Sequence, residues 1–231
     1  MKRSPLALVT VLLIALAGVS LLSSRVWARQ APLTADREAR LIADLNDCLQ
    51  ERFKDVDEAF GFRRIVKIGE TPHRFNPENV REEHALQELQ RERLRLVLYL
   101  AGRRVLRAPA ETSTTNRGSL WAVIKGPVLV TSGDPMRADA DRVTGDTPPE
   151  PRELLDESRR AVAAFADADS HDFVVGHWKF TARPVRASDT MCLSCHREEH
   201  TTLAAMQDPS GTPLRIGDPL GVLLYGYQPV K

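Results

Sequence analysis

Two cysteines and a histidine near the C-terminal end of the chain have the types and the spacing of a covalent haem attachment site. They stand in the segment Cys192-Leu193-Ser194-Cys195-His196. Two thiols three positions apart can each add to a vinyl group on one edge of a porphyrin, which gives two thioether bonds. The histidine directly after the second cysteine is then held beneath the iron, where its imidazole becomes the proximal axial ligand. The segment therefore predicts one covalently attached haem c.

Other chemistries stay open for these residues. A zinc site would use both cysteines with His196 or His200, but structural zinc is tetrahedral and a fourth ligand is missing from the segment. A thioredoxin-like redox disulfide requires the cysteine pair to begin a helix in a βαβ unit, and the surrounding sequence lacks that setting. A plain structural disulfide is the third alternative. The compartment of the protein bears on the choice, because haem c is attached outside the cytoplasm.

The first 28 residues have the pattern of an export signal. Two basic residues precede an uncharged stretch over residues 4–24, and Ala28 ends a pattern typical of signal cleavage. The apolar run also has the length of a membrane span, roughly 20 residues, and the basic residues favour leaving its N-terminal end in the cytoplasm. We expect a cleaved signal or a retained membrane anchor over residues 1–28. Residues 29–231 would then form one domain in the periplasm or on the outer face of the inner membrane.

The composition is that of an ordinary globular protein. The 231 residues include 32 basic and 31 acidic side chains, so the net charge provides no strong attraction to nucleic acid. Hydrophobic residues make up 42% of the chain and charged residues 27%, proportions that are usual for a soluble domain with a buried core. We expect no nucleic-acid partner.

The elements that must position the haem motif are predicted from periodicity and from turn residues. A first helix over residues 34–60 has apolar side chains at helical spacing and carries Cys48, and Asn79 is expected to cap a long helix over residues 81–105. The remaining predictions are strands over residues 62–68, 120–124, 128–131, 173–185 and 220–227, a surface loop over residues 132–151, and a helix over residues 153–166. Because strands and helices do not alternate regularly, the predicted fold class is α+β, with helices packed around an antiparallel sheet.

Cys48 is left without a cysteine partner in the chain once the motif cysteines are bound to haem. Its thiol is then a buried inert group, an intermolecular bridge or a second axial ligand of the iron. Other side chains of suitable type are also candidates for the sixth coordination position: His171, His177, His200, Met136, Met191 and Met206.

The chain resembles a family of exported PAS-like c-type haem domains. This family includes stand-alone bacterial monohaem cytochromes and the sensory portions of membrane receptors. The matching residues lie in the family's order: Cys48 on an N-terminal helix, Arg74, Asn76, Pro77 and Asn79, the segment Arg183-Pro184-Val185, the haem motif, and the segment Gly217-Asp218-Pro219-Leu220-Gly221-Val222. Together they span nearly all of the exported part, and the haem motif is the most specific of them.

The resemblance implies a central antiparallel sheet of PAS type flanked by helices, with one haem whose axial ligands are His196 and Cys48. It implies redox or diatomic-gas sensing, or low-potential electron transfer, together with a redox or signalling partner protein. Arg74 is a candidate contact of a haem propionate or a solvated surface arginine. We expect no enzymatic activity. The alternative is a peroxidase-like haem enzyme with an open iron face.

Overall fold

The computed structural model describes residues 33–54, 75, 77–102, 124–130, 147–195 and 214–229. The helices in these ranges are α1 (Ala35–Lys54), α2 (Val80–Arg91), a 3-10 helix (Pro151–Leu154), α3 (Leu155–Ala164) and α4 (Thr190–Cys195). The strands are β1 (Leu94–Gly102), β2 (Ile124–Val130), β3 (His171–Val175), β4 (Trp178–Arg186) and β5 (Pro219–Pro229). None of the described helices is long and apolar enough to cross a membrane. The predicted signal, the predicted strand over residues 62–68 and most of the predicted loop lie outside the described residues.

The five described strands form one sheet in the order β2-β1-β5-β4-β3. All four neighbouring pairs are antiparallel. β5 lies in the middle of the sheet and pairs along its length with β1 on one side and β4 on the other. The predicted α+β class with a central antiparallel sheet is therefore confirmed, as are the predicted last strand and the helix before β3.

The prediction of one long helix over residues 81–105 is wrong. Asn79 does cap α2, since its side-chain oxygen accepts a hydrogen bond from the backbone N–H of Glu82 at 2.9 Å. The helix ends at Arg91, however, and Arg93, with φ at 54°, turns the chain into β1. β1 is covered on both faces, so its sequence is a nearly continuous apolar run. Hydrophobic periodicity alone does not separate such a strand from a buried helix.

Two further strand predictions need correction. The sequence predicts two strands, over residues 120–124 and 128–131, joined by a turn at residues 125–127. The structure instead has one strand, β2, which contains Gly126 and Pro127 at an irregularity of its pairing with β1. Because β2 lies at the sheet edge, a proline inside it removes no required ladder bond. The predicted single strand over residues 173–185 is a hairpin of β3 and β4. Its two-residue turn consists of Gly176, with φ at 59°, and His177.

Helices cover both faces of the sheet. On one face the 3-10 helix and α3 pack on alternate side chains of the central strands, and the members of this cluster include Leu154, Phe165, Tyr99, Phe180 and Leu224. α1 lies on the opposite face, where the hydroxyl of Tyr225 donates to Oδ1 of Asn46 at 3.1 Å. The helical spacing of Ala39, Ile42, Leu45 and Leu49 predicts the apolar side of α1. Ile42, Leu45 and Leu49 are buried as expected, whereas Ala39 is exposed and Leu41 is buried instead.

α1 runs along β4 in the same direction. Near the start of β4, Nζ of Lys179 donates to the Glu38 carboxylate at 2.7 Å. Near its end, Nε2 of Gln50 donates to the carbonyl of Pro184 at 3.0 Å. The two contacts are about 18 Å apart along the helix and about 17 Å apart along the strand, which agrees with a nearly parallel arrangement. The C-terminal half of α1, with Cys48, therefore lies at the end of β4 that leads to the haem motif.

A buried ion pair joins α1 to α2. Nε of Arg52 donates to Oε1 of Glu82 at 2.7 Å, and the Glu82 carboxylate also accepts from the backbone N–H of Glu78 at 2.6 Å. The Glu82 side chain is fully buried, and the Arg52 guanidinium lies over the Phe75 ring at 4.8 Å from its centroid. This pair fixes the end of α1 that carries Cys48 against the start of α2.

Replacement of Glu82 by glutamine is expected to lower the free energy of unfolding by about 3 kcal/mol, because it leaves much of the Arg52 charge buried and uncompensated. Urea unfolding followed by circular dichroism measures the change. Glu51→Gln is the control, since Glu51 pairs with Lys54 at the surface and its loss should leave the midpoint unchanged. Equal midpoints for wild type and Glu82→Gln would contradict the role assigned to the pair.

Candidate haem site

The first cysteine of the motif lies on a short helix directly after the sheet. α4 begins four residues beyond the end of β4. The Asp189 carboxylate accepts hydrogen bonds from the backbone N–H groups of Met191 at 2.6 Å and Cys192 at 3.1 Å, so it holds the first turn of the helix. Positions 192 and 195 are three residues apart on one helix, and side chains at that spacing lie on the same face. This backbone arrangement suits two attachments to one porphyrin edge.

The structure describes the motif residues to different extents. Cys192 is half-buried, and its Sγ lies 3.6 Å from the Ser188 hydroxyl. For Cys195 only the helical backbone is described, and His196 lies outside the described residues, as does Arg74. No group of three or more metal-binding side chains occurs among the residues whose side chains are described, a set that excludes Cys195 and His196.

The end of β4 is tied to the beginning of β5 just before the motif. The backbone N–H of Ala187 donates to the carbonyl of Asp218 at 2.9 Å, and that of Gly217 donates to the carbonyl of Ala187, also at 2.9 Å. NH1 of Arg186 adds a bond to the Gly217 carbonyl at 3.0 Å. Gly217 has φ at 94°, a conformation that favours glycine. Two of the segments quoted for the family resemblance, 183–185 and 217–222, are thus neighbours in the sheet.

Cys48 is buried on α1, with 4% of its surface exposed, and is a free thiol. Burial raises the pKa of this thiol. The positive charge of Arg81 opposes the rise, while the charges of Glu82, Asp47 and Asp44 add to it. The thiol is therefore protonated at neutral pH unless a cation compensates the thiolate. Coordination to a metal ion is such a compensation, since a coordinating thiol is deprotonated.

The alternative axial ligands that the structure describes lie in less suitable places. His177 is exposed in the β3–β4 turn, and the nine residues from there to Arg186 span about 30 Å of extended strand. His171 lies on the edge strand with its Nε2 3.5 Å from the Glu157 carboxylate. Met191 is 57% exposed and belongs to the motif helix itself. The other three candidates, Met136, His200 and Met206, lie outside the described residues.

Arg183 is a charged residue at this end of the sheet. The sequence pattern indicates it only as part of the segment Arg183-Pro184-Val185, without a role of its own. It lies on β4 on the same face as Tyr225, and its Nε is buried without a hydrogen-bond acceptor among the described residues. Tyr225 is fully buried, and burial raises its pKa well above the usual value. The charge of Arg183 opposes that rise, while Asp47 and Cys48 add to it. The Arg183 and Cys48 side chains therefore both act electrostatically on this one tyrosine hydroxyl.

Comparisons of the chain with family models, with curated proteins and with solved structures find no match.

Modification of the Cys48 thiol tests the burial described here. In a Cys192→Ser/Cys195→Ser background, Cys48 is the remaining thiol, and we expect it to react with an aromatic disulfide reagent far more slowly in the native protein than in urea. Burial both blocks access and disfavours the reactive thiolate.

The matched control is an Ala39→Cys/Cys48→Ala variant in the same background, which moves the thiol to the exposed side of α1 and should react rapidly without urea. Similar rates for the two native proteins would show that Cys48 is accessible, contrary to the structure.

Proposed function

We propose that this protein is an exported monohaem c-type cytochrome whose domain is PAS-like. In this proposal the haem is attached through Cys192 and Cys195, and the iron is ligated by His196 and Cys48. The observation that carries it is the position of α1. The hydrogen bond from Gln50 to the Pro184 carbonyl places the Cys48 turn of this helix at the end of β4 from which the motif helix follows.

The sheet supports the PAS-like part of the proposal. Its first and last strands, β1 and β5, are adjacent in the centre, and helices lie on both faces. The thiol at position 48 supports the ligand assignment, because it is buried and lacks a disulfide partner. Burial and the nearby charges of Glu82, Asp47 and Asp44 disfavour the free thiolate, so the side chain fits a ligand of a cationic metal better than a redox-active surface cysteine.

Bound haem would supply a one-electron redox centre. Ligation by the Cys48 thiolate stabilises ferric iron and lowers the reduction potential relative to ligation by methionine. If His196 and Cys48 both hold the iron, the chain would leave no position on the metal free for a substrate, which would disfavour substrate chemistry there. The arrangement suits low-potential electron transfer, or redox or diatomic-gas sensing in which the Cys48 ligand is released. A redox or signalling partner protein outside the cytoplasm, reached through the export signal or anchor in residues 1–28, completes the proposal.

Covalent attachment is tested on the protein expressed in a host that assembles c-type cytochromes. We expect one haem per chain, a pyridine haemochrome spectrum of thioether type, and retention of the haem through acid–acetone extraction. A Cys192→Ala/Cys195→Ala variant should lose the haem in that extraction. Extraction of all haem from the wild-type protein would overturn the assignment.

The sixth ligand is tested by electron paramagnetic resonance of the ferric protein at low temperature. We expect a low-spin spectrum of thiolate type that disappears in Cys48→Ala, and a higher reduction potential in Cys48→Met, because thioether ligation favours the ferrous state. His177→Ala is the matched control and should leave both properties unchanged. A wild-type spectrum retained in Cys48→Ala would exclude Cys48 from the iron.

A further inference from the structure

Arg183 combines partial burial with an incomplete set of hydrogen bonds. Its NH1 donates to the backbone carbonyl of Asp169 at 3.3 Å, while its Nε is buried without an acceptor in the described part of the chain. No carboxylate among those residues forms an ion pair with it, although nearby Arg186 pairs with Asp169 at 3.0 Å. A buried guanidinium N–H without an acceptor is unfavourable, so the position indicates an acceptor that the described residues do not provide.

The orientation of the contacts indicates the kind of acceptor. Because NH1 is directed to Asp169, the Nε–NH2 edge of the guanidinium is the edge without described partners. That edge presents two parallel N–H groups, which match the two oxygens of a carboxylate in a bidentate pair. The chemical class of the ligand is therefore a planar anion of carboxylate type.

The location connects this anion site to the proposed haem. Arg183 lies on the α1 face of β4, its charge acts on the same Tyr225 hydroxyl as Cys48 does, and α4 begins seven residues later in the chain. A porphyrin joined to α4 and ligated by Cys48 must lie at this end of the sheet, and it carries two carboxylates. We propose that Arg183 binds one haem propionate side-on through Nε and NH2. This proposal rests on the proposed haem function and adds a residue that recognises the cofactor.

The charged and titratable groups around Arg183 are consistent with this role. Asp169, from the loop before β3, has its carboxylate engaged by Arg186. On α1, Asp47 is exposed and Cys48 is buried, and on β5 the Tyr225 hydroxyl donates to Asn46. Arg81 acts on Cys48 from α2. The described carboxylates around Arg183 therefore leave its Nε without an acceptor.

A guanidinium beside a propionate lowers the pKa of that carboxyl group. The propionate is then ionised throughout the neutral range, and it contributes no pH dependence to the reduction potential there. Removal of the arginine charge should raise the propionate pKa by about one to three units. The potential of the variant would then rise as the pH falls through the new pKa, since protonation removes a negative charge near the iron and favours the ferrous state.

The experiment uses the haem-loaded wild-type protein, Arg183→Gln, Arg183→Lys and Arg160→Gln, the last as a control that removes an arginine charge from the surface of α3. We expect the propionate bending band in the resonance Raman spectrum to shift in both Arg183 variants, because lysine restores the charge but not the bidentate geometry. The propionate pKa, read from the pH below which the reduction potential begins to rise, should be higher in Arg183→Gln than in the wild type. In Arg183→Lys the increase in this pKa should be smaller. Arg160→Gln should retain both wild-type properties.

The outcomes separate this proposal from the proposed function. Covalently bound haem with an unchanged propionate band and an unchanged pH profile in Arg183→Gln would overturn the Arg183 assignment and leave the cytochrome proposal intact. Loss of thermal stability without those two changes would show that Arg183 pairs with a carboxylate side chain of the protein, and would overturn it too. If Arg183→Gln does not fold, the propionate band of Arg183→Lys decides: a shift supports the assignment, and the wild-type band overturns it.

Discussion

The pairing of β5 with β4 is the constraint on which the arrangement of the site depends. β5 lies at the centre of the sheet, so its register with β4 cannot shift without also disturbing β1. The reciprocal backbone bonds between Ala187 and residues 217 and 218 close this pairing at its end. The point at which the chain leaves the sheet for α4 is thereby fixed, and so is the place of Cys192 relative to the strands. A one-residue slip would exchange the two faces and move Arg183 away from α1.

The α1 helix adds the second half of the site through a small number of polar contacts with β4 and β5. α1 forms hydrogen bonds with the sheet through Glu38, Asn46 and Gln50. Because these bonds are spread along the helix, they fix both its direction and its position. The buried Arg52–Glu82 pair then joins its end to α2. Cys48 lies between the last sheet contact and the contact to Tyr225. Hydrophobic burial is non-directional. The position of Cys48 therefore also depends on the directional hydrogen bonds and the ion pair that orient α1.

Sequence reasoning identified the fold class, the helix with Cys48, the Asn79 cap and the last strand, because each has a local signature in spacing or capping. It failed where burial removes the signature. β1 is apolar on both faces, so its sequence pattern predicts a continuation of α2. The β3–β4 hairpin is predicted as one strand because the alternation of its side chains continues through a two-residue turn. The importance of Arg183 could not be predicted either, since an unsatisfied Nε is a property of packing between distant segments. The sequence contains one signal for the position of Arg183: strand alternation places it on the same face as Thr181.

A buried thiol and a partly buried guanidinium occur on the same face of the sheet, Cys48 on α1 and Arg183 on β4. The Tyr225 hydroxyl on this face donates to Asn46 and interacts electrostatically with both groups. Burial keeps the Cys48 thiol protonated, and the Nε of Arg183 is buried without an acceptor in the described part of the chain. In the proposed cytochrome, the iron and one propionate of the haem would satisfy the two groups together.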